Sequence, residues 1–265
     1  YDLHELSRYI DWTPFFQAWE MKGRFPGLLD DPVQGPAARQ LWDDAQAMLA
    51  EVLQKNWFRP KAVIGFWPAN SVGDDIELFT DDSRTDELAM LYTLRQQLSK
   101  QKEKPNLALA DFVAPIGTPD YIGGFVVTAG LAEHLIADRF ARQNDDFSSI
   151  LIKALGDRFA EALAEAMHER VRKEFWGYAR DEAISPTELI HEKYRGIRPA
   201  PGYPAQPDHT EKTTLFRLLN AKQRIGVELT EGYSMWPGSS VSGLYFSHPD
   251  AYYFGVAKVE RDQVE

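Results

Sequence analysis

The feature that most constrains the fold is a long helical pattern between two groups of strand-like segments. Residues 131–178 favour helix, with one interruption near 144–146, and their second part repeats apolar residues at helical spacing. Strand-like patterns occur before it at 62–67, 75–79 and 121–128, and after it at 226–230, 242–247 and 251–259. This order predicts an α+β fold with a mostly antiparallel sheet, and argues against a doubly wound parallel sheet.

Other local patterns predict two further helices, a hairpin and two irregular segments. Apolar residues recur at intervals of three and four over 36–56, and residues 86–100 also favour helix. The spacing of the strand-like segments at 62–67 and 75–79 predicts a hairpin. We expect a solvated loop at 99–105, and the four prolines and two glycines of 196–207 exclude regular structure there.

Composition excludes several classes of protein. The 265 residues suit one large or two small domains, and 44% apolar residues provide a packed core. A net charge of −11 argues against a broad nucleic-acid-binding face, and no apolar stretch is long enough to span a membrane. The absence of cysteine excludes disulfides and cysteine-ligated zinc, and is compatible with a cytoplasmic location. Because the sequence begins with Tyr1 and not with methionine, we expect a fragment of a longer protein.

Common catalytic and nucleotide-binding motifs fail on spacing. None of the three His-Glu pairs has a second histidine three residues after the glutamate, so the zinc-protease arrangement is absent. Leu244 stands where a phosphate-binding loop at 238–243 would need lysine. There is no GxGxxG segment and no GxSxG segment. The sequence therefore predicts neither a Rossmann-type nucleotide site nor a hydrolase triad.

The segment 195–205 is the strongest candidate for a binding site. Three prolines fix φ and favour an extended backbone that could pair with a flat heterocycle. Arg198 offers a bidentate fork for a carboxylate or a phosphate. From spacing alone, a rigid connection between helix and sheet is the favoured interpretation, and it stays open.

The motif Arg198-Pro-Ala-Pro-Gly-Tyr-Pro204, followed by His209-Thr-Glu-Lys212, resembles the activation domain of cobalamin-dependent methionine synthases, which binds S-adenosylmethionine (AdoMet). Further motifs resemble the same family in collinear order over nearly the whole chain. They are Ile10-Asp-Trp-Thr-Pro-Phe15, Pro68-Ala-Asn-Ser-Val-Gly-Asp-Asp75, Ala110-Asp-Phe-Val-Ala-Pro115, His168-Glu-Arg-Val-Arg172, Met235-Trp-Pro-Gly238, Ser240-Val-Ser-Gly243 and Tyr245-Phe-Ser-His-Pro-Asp250.

The resemblance implies a single C-shaped domain over 1–265, with a mostly antiparallel sheet flanked by helices, as one module of a larger enzyme. That enzyme methylates homocysteine to methionine from methyltetrahydrofolate. The family's domain binds AdoMet without a Rossmann fold and remethylates the cobalamin, which a neighbouring module holds, after a flavodoxin-type partner has reduced it. We expect a monomer that binds AdoMet and shows no turnover alone.

The resemblance also assigns AdoMet contacts, with no catalytic residue and no metal ligand. Phe254 departs from the family's usual second tyrosine by one hydroxyl, which preserves stacking. The assigned residues are Asp11, Glu161, Glu192, Arg198, Ala200, Gly202, Tyr203, Tyr253 and Phe254.

The chemistry of AdoMet suits these residue types. Asp11 can pair with the ammonium group and Arg198 with the carboxylate, while adenine can lie against Tyr203 or Tyr253 and bond to loop backbone. Two alternatives stay open. Asp11 could instead cap the helix that follows it, and alternation along a strand would place either Tyr253 or Phe254 in the core.

Two other functions stay open. The chain could dock flavodoxin and the cobalamin module without a working AdoMet site, or it could be a free-standing AdoMet-dependent enzyme. Because a flavodoxin is itself typically acidic, the net charge predicts a local basic docking patch, for which Arg170, Arg172 and Lys173 are the candidates.

Overall fold

A five-stranded antiparallel sheet forms the centre of the computed structural model, which describes residues 1–98, 105–257 and 259. Its strand order is β3-β2-β1-β4-β7, and a separate two-stranded ribbon pairs β5 with β6. The strands are β1 (Lys61–Val72), β2 (Asp75–Phe79), β3 (Glu87–Leu91), β4 (Asp120–Thr128), β5 (Glu228–Leu229), β6 (Met235–Trp236) and β7 (Ser240–Tyr245). The predicted α+β class with an antiparallel sheet is confirmed.

Helices pack on both faces of this sheet. They are α1 (Leu3–Leu6), α2 (Thr13–Ala18), α3 (Gly35–Lys55), α4 (Ala132–Arg142), α5 (Asp146–Arg170), α6 (Pro186–Ile190), α7 (Glu211–Leu219) and α8 (Ala221–Ile225). Short 3₁₀ turns occur at Ser7–Tyr9, Gly27–Asp30 and Leu109–Phe112, and one π-helical turn at Val171–Phe175 continues α5.

The alternation of side chains along β4 divides the core in two. Phe125 and Val127 pack with α3 and α5, whereas Val126 packs with α7 and α8, as expected when successive side chains point to opposite faces. Gly124 permits the close packing of α7, since a Cβ there would lie 2.6 Å from Leu215 Cδ1. The sheet is therefore buried on both faces at β4.

The long helical pattern is confirmed with its interruption. The chain breaks between α4 and α5, where Asn144 takes a φ of +57°. The Asp145 carboxylate then caps α5 by accepting the Ser148 N–H at 3.0 Å. Helix α3, the hairpin of β1 and β2, and the irregular segment 196–207 are also confirmed.

Two predictions about regular structure are wrong. Residues 86–98 contain β3 and extended chain instead of a helix, because Ala89 and Leu91 alternate into the core and pair with β2. Residues 251–257 form no strand; Val256 donates its N–H to Pro204 O, in the 196–207 loop and outside any ladder. The predicted loop at 99–105 lies outside the described residues except at its last position.

The pattern at 226–230 yields only the two residues of β5, and helices α7 and α8 were not predicted. Among the described residues, no helix is both long and apolar enough to cross a membrane.

Candidate functional site

A cleft of about 520 Å³ opens between the proline-rich loop, the sheet and the C-terminal segment, within the size range of small-molecule sites. Seven of the nine residues that the resemblance assigns to AdoMet line this cleft. The lining residues are Phe125, Glu161, Glu192, Arg198, Pro199, Ala200, Tyr203, Pro204, Ala205, Val241, Ser242, Tyr253, Phe254 and Gly255.

The proline-rich loop is fixed beside β7. Ile197 and Phe246 exchange two backbone hydrogen bonds of 3.0 Å, and the Leu244 N–H donates to Pro199 O at 2.8 Å. This approach requires Gly243, because a Cβ there would lie 2.7 Å from the Pro199 carbonyl oxygen. These backbone hydrogen bonds fix the loop to the sheet, so the loop holds Arg198 in a defined position.

Several polar backbone groups of this loop are already paired within the domain, so not all of them are free to pair with a heterocycle. Gly202 donates its N–H to Gln206 O and Tyr203 donates to Ala200 O, at 2.7 and 3.1 Å. The N–H of Ala200 donates to no described residue. Ala200 lines the cleft and is only partly buried, so its N–H is available to a ligand.

Arg198 is the only basic side chain among the described residues that line the cleft. Its Nη2 lies 2.8 Å from Glu165 Oε2, and its Nη1 donates to the Tyr194 hydroxyl at 2.6 Å. Its backbone N–H donates to the Tyr253 hydroxyl at 3.0 Å. Only 16% of the side chain is exposed. The guanidinium is therefore positioned before any ligand arrives.

His168 lies behind Arg198 as a neutral imidazole. It is fully buried, and its Nδ1 lies 3.4 Å from Arg198 Nη1. Burial lowers the pKa of His168 well below its usual value, and the charges of Arg198 and Arg172 lower it further. The ring stacks on Tyr245 at 5.2 Å. A neutral ring adds no charge next to Arg198.

Two carboxylates face the cleft, Glu161 from α5 and Glu192 from the turn after α6. Burial raises the pKa of Glu192, and the charge of Glu165 raises it further, whereas Arg198 lowers it. Glu192 also takes a left-handed φ of +53°, an uncommon backbone conformation for a residue other than glycine. These two carboxyl groups share the cleft lining with the Arg198 guanidinium.

Aromatic side chains form the outer wall. Tyr203 is 61% exposed and Tyr253 is 39% exposed, so both rings offer a face to a planar ligand. Phe254 is partly buried and lies 6.2 Å from the Phe112 ring, although it also lines the cleft. Since the segment is not a strand, the two neighbours do not divide between core and surface as an alternating pattern would.

Asp11 and Gly202 are absent from the described cleft lining. The Asp11 carboxylate accepts the Thr13 N–H, the first of α2, at 2.9 Å, although Trp12 and not Asp11 occupies the N-cap position of this helix. Gly202 supports the loop from behind, because it has a φ of +98° and a Cβ there would lie 2.3 Å from His209 Cε1. Both assignments as ligand contacts stay predictions.

Comparison with known proteins places these features in a family. The family model described as "Vitamin B12 dependent methionine synthase, activation domain" matches residues 2–265. The chain belongs to this activation-domain family. It is also similar to a solved structure described as the MetH reactivation domain bound to AdoHcy, with 52% identity and a TM-score of 0.95; the match covers 100% of this chain and 82% of the other.

The motif His168–Arg172, which resembles the activation-domain family, contributes to the buried network and not to a docking patch. Arg172 is fully buried and pairs with Glu182 at 2.8 Å, while its guanidinium lies 4.0 Å from the Tyr194 ring centre. The prediction that Arg172 belongs to a basic docking patch is wrong, because the glutamate and the aromatic ring compensate its charge inside the domain.

The other two candidates for the docking patch are more exposed, but each is already paired. Arg170 bonds to Glu174 and Lys173 to Glu169, each four residues away on the same helical segment. These pairs leave little local positive charge for a basic patch at this end of α5.

Sequence reasoning missed four polar residues of this activation domain. Glu165, His168 and Tyr194 surround Arg198, and Ser242 lines the cleft with a buried hydroxyl that has no partner among the described residues. A signal was present for two of them: Glu165 and His168 share the face of α5 that carries Glu161, within an otherwise apolar run. Within the described residues, no group of three or more acidic or histidine side chains could hold a metal ion.

Proposed function

We propose that this domain binds AdoMet in the cleft and supplies its methyl group for the reductive remethylation of the cobalamin of methionine synthase. That enzyme methylates homocysteine to methionine from methyltetrahydrofolate. The observation that carries the proposal is the convergence of Glu161, Glu192, Arg198, Ala200, Tyr203, Tyr253 and Phe254 on one cleft. These residues come from a helix, a turn, a loop and the C-terminal segment. They lie in separate parts of the sequence, and only the fold brings them together.

The similar MetH domain supports this choice of ligand. It was solved with AdoHcy, and the match to it covers the whole of this chain at 52% identity. This favours an AdoMet site over a module that only docks other proteins. The buried hydroxyl of Ser242 and the N–H of Ala200 have no partner within the described part of the chain, so they are also groups that a polar ligand would satisfy.

Each part of AdoMet has a suitable group in the cleft. Arg198 pairs with the carboxylate, and the Ala200 N–H bonds to the adenine, which lies against Tyr203 or Tyr253. Glu161 and Glu192 place negative charge near the sulfonium cation. Asp11 is kept as the proposed partner of the ammonium group, and Gly202 as the residue that shapes the loop.

The residues of this chain bind and orient the methyl donor and need no acid–base chemistry. The cobalamin, held by the neighbouring module, supplies the nucleophile that accepts the methyl group. We propose that module and a flavodoxin-type electron donor as partners, a monomeric state for the domain, and a cytoplasmic location. The domain alone binds AdoMet without turnover.

Isothermal titration calorimetry of the wild-type chain with AdoMet tests the proposal. We expect saturable binding at one site, and a loss of most of it in Arg198→Ala with the circular dichroism spectrum retained. Arg170→Ala is the matched control, because this arginine lies at the end of α5 and outside the cleft lining. An absence of binding by the wild type would favour the docking module instead.

A second measurement concerns the methyl transfer itself. With the cobalamin module, a reductant and AdoMet present, we expect the methylcobalamin absorbance to appear only when this domain is added. Methyl transfer by the domain to another acceptor without the cobalamin module would instead support a free-standing enzyme.

A further inference from the structure

The one cationic side chain of the described cleft lining is held by groups that are not themselves in the lining. Glu165 forms an ion pair with Arg198 Nη2 at 2.8 Å and the Tyr194 hydroxyl accepts a hydrogen bond from Nη1 at 2.6 Å, and neither residue lines the cleft. His168 lies against one of these nitrogens at 3.4 Å. Among the described residues, no partner accepts the Arg198 Nε–H. The supporting groups therefore occupy one edge of the guanidinium and leave its Nε–H available.

Stability alone does not explain the buried ion pair of Glu165 and Arg198. Glu165 is 9% exposed, and its second oxygen, Oε1, is buried without a hydrogen-bond partner among the described residues. Removing a carboxylate from water is costly, and a single contact with Arg198 recovers only part of that cost. A buried charge with one unsatisfied oxygen is better explained by what it does to Arg198 than by its contribution to folding.

Helix α5 gives Glu165 a rigid base. Glu161, Glu165 and His168 lie at intervals of four and three residues, so they share one face of a 25-residue helix. The first faces the cleft and the other two contact Arg198. If the imidazole proton is on Nε2, Nδ1 accepts from Arg198 Nη1 and Nε2 donates to the Tyr178 hydroxyl.

We propose that Glu165 is a positioning residue for carboxylate recognition: it holds the Arg198 guanidinium so that its free edge receives the carboxylate of the bound amino-acid moiety. This inference rests on the proposed function. Glu165 does not touch the ligand, so its loss should affect the carboxylate contact and leave the contacts to adenine and sulfonium intact.

The test compares two ligands that differ in the carboxylate alone, AdoMet and decarboxylated AdoMet, by calorimetry on the wild type and on Glu165→Ala. We expect at least about tenfold weaker binding of AdoMet by the variant, and less than about a twofold change for decarboxylated AdoMet. In Glu165→Gln the amide oxygen can still accept from Arg198, so this variant should recover part of the affinity. Equal losses for the two ligands would show a merely structural role and overturn the proposal, as would unchanged or tighter AdoMet binding.

Glu169→Gln is the matched control. Glu169 lies one turn further along α5 and pairs with Tyr9 and Lys173, away from the cleft lining. The Glu169→Gln variant should leave the affinities for both ligands unchanged. If Glu169→Gln reproduces the selective loss, Glu165 has no special role.

A measurement without ligand separates this inference from the proposed function. The Arg198 Nε–H resonance in a ¹⁵N–¹H spectrum should show an ordered side chain in the wild type and in Glu169→Gln, and increased motion in Glu165→Ala. Failure of the wild type to bind AdoMet would refute the proposed function. An ordered Arg198 in Glu165→Ala would refute the positioning role whether or not the wild type binds.

Discussion

Arg198 Nη2 and Glu165 Oε2 lie 2.8 Å apart, and both side chains are largely buried. The arginine belongs to the proline-rich loop and the glutamate to α5, so this contact joins the loop to the longest helix of the domain. It gives the loop, which has no regular structure of its own, a fixed cationic group beside the sheet.

Replacing Arg198 by lysine tests whether its shape or its charge matters. Lysine keeps the charge but cannot reach Glu165 and Tyr194 at once through a planar fork. We expect AdoMet binding weaker by at least about tenfold, equivalent to about 1.4 kcal/mol, measured by calorimetry. Affinity close to that of the wild type would mean that a simple point charge is sufficient.

The buried pair of Arg172 and Glu182 should contribute strongly to the folded state. In Arg172→Ala the Glu182 carboxylate, 8% exposed, loses its partner. We expect the free energy of unfolding to fall by about 3–5 kcal/mol, measured by urea denaturation. Arg170→Ala removes an exposed pair of the same helical segment and should cost less than about 0.5 kcal/mol. Similar values for the two variants would contradict the assignment of Arg172 to the interior.

Gly202 should tolerate no side chain. A methyl group would meet the His209 ring, and the φ of +98° is unfavourable for alanine. We expect Gly202→Ala to lower the free energy of unfolding by about 1–3 kcal/mol and to weaken AdoMet binding through displacement of the loop. Gly232→Ala is the control, since nothing lies within 4 Å of its Cβ position. Equal melting temperatures and equal AdoMet affinities for the two variants would contradict this role of Gly202 in the loop.

Glu133 on α4 should make stability depend on pH. The pKa of Glu133 is raised to about 7, chiefly by burial and also by the nearby charge of Asp157, against the opposing effect of a hydrogen bond with Ser239. The folded state thus favours the neutral acid. The contribution of Glu133 to the free energy of unfolding is fully present below the pKa that its carboxyl group has in the unfolded chain. It is lost as the pH rises through about 7.

Glu133→Gln mimics the neutral acid. We expect it to raise the free energy of unfolding at pH 8 by about 1–3 kcal/mol, with little change at pH 5, measured by urea denaturation at both values. The exposed Glu87 provides the control, because Glu87→Gln should change neither value. A Glu133→Gln variant no more stable than the wild type at pH 8 would contradict a buried neutral acid.

The sequence was sufficient for the elements whose own periodicity decides their structure. Apolar spacing predicts helices α3 and α5, the hairpin and β4. The family motifs, and not periodicity, predict that the seven assigned residues lie around one cleft. The resemblance located the cleft because its motifs are specific to residues that end up together.

The errors have a common physical cause, which is dependence on distant partners. Residues 87–91 form a strand because β2 offers a free edge, whereas in 251–257 the Val256 N–H and the Gly255 carbonyl bond to Pro204 and Gln96 and not to a strand. Arg172 is buried because Glu182 and Tyr194 compensate its charge. None of these partners is visible in a local window, and the same holds for Glu165 beneath Arg198.

A titration of the ¹⁵N-labelled chain with AdoMet, followed by amide resonances, tests the central claim most directly. We expect saturable shifts at the Ala200 N–H and at neighbouring cleft residues such as Ser242 and Gly255, all abolished in Arg198→Ala. Saturable shifts confined to another part of the surface, or no shifts at all, would contradict an AdoMet site in this cleft.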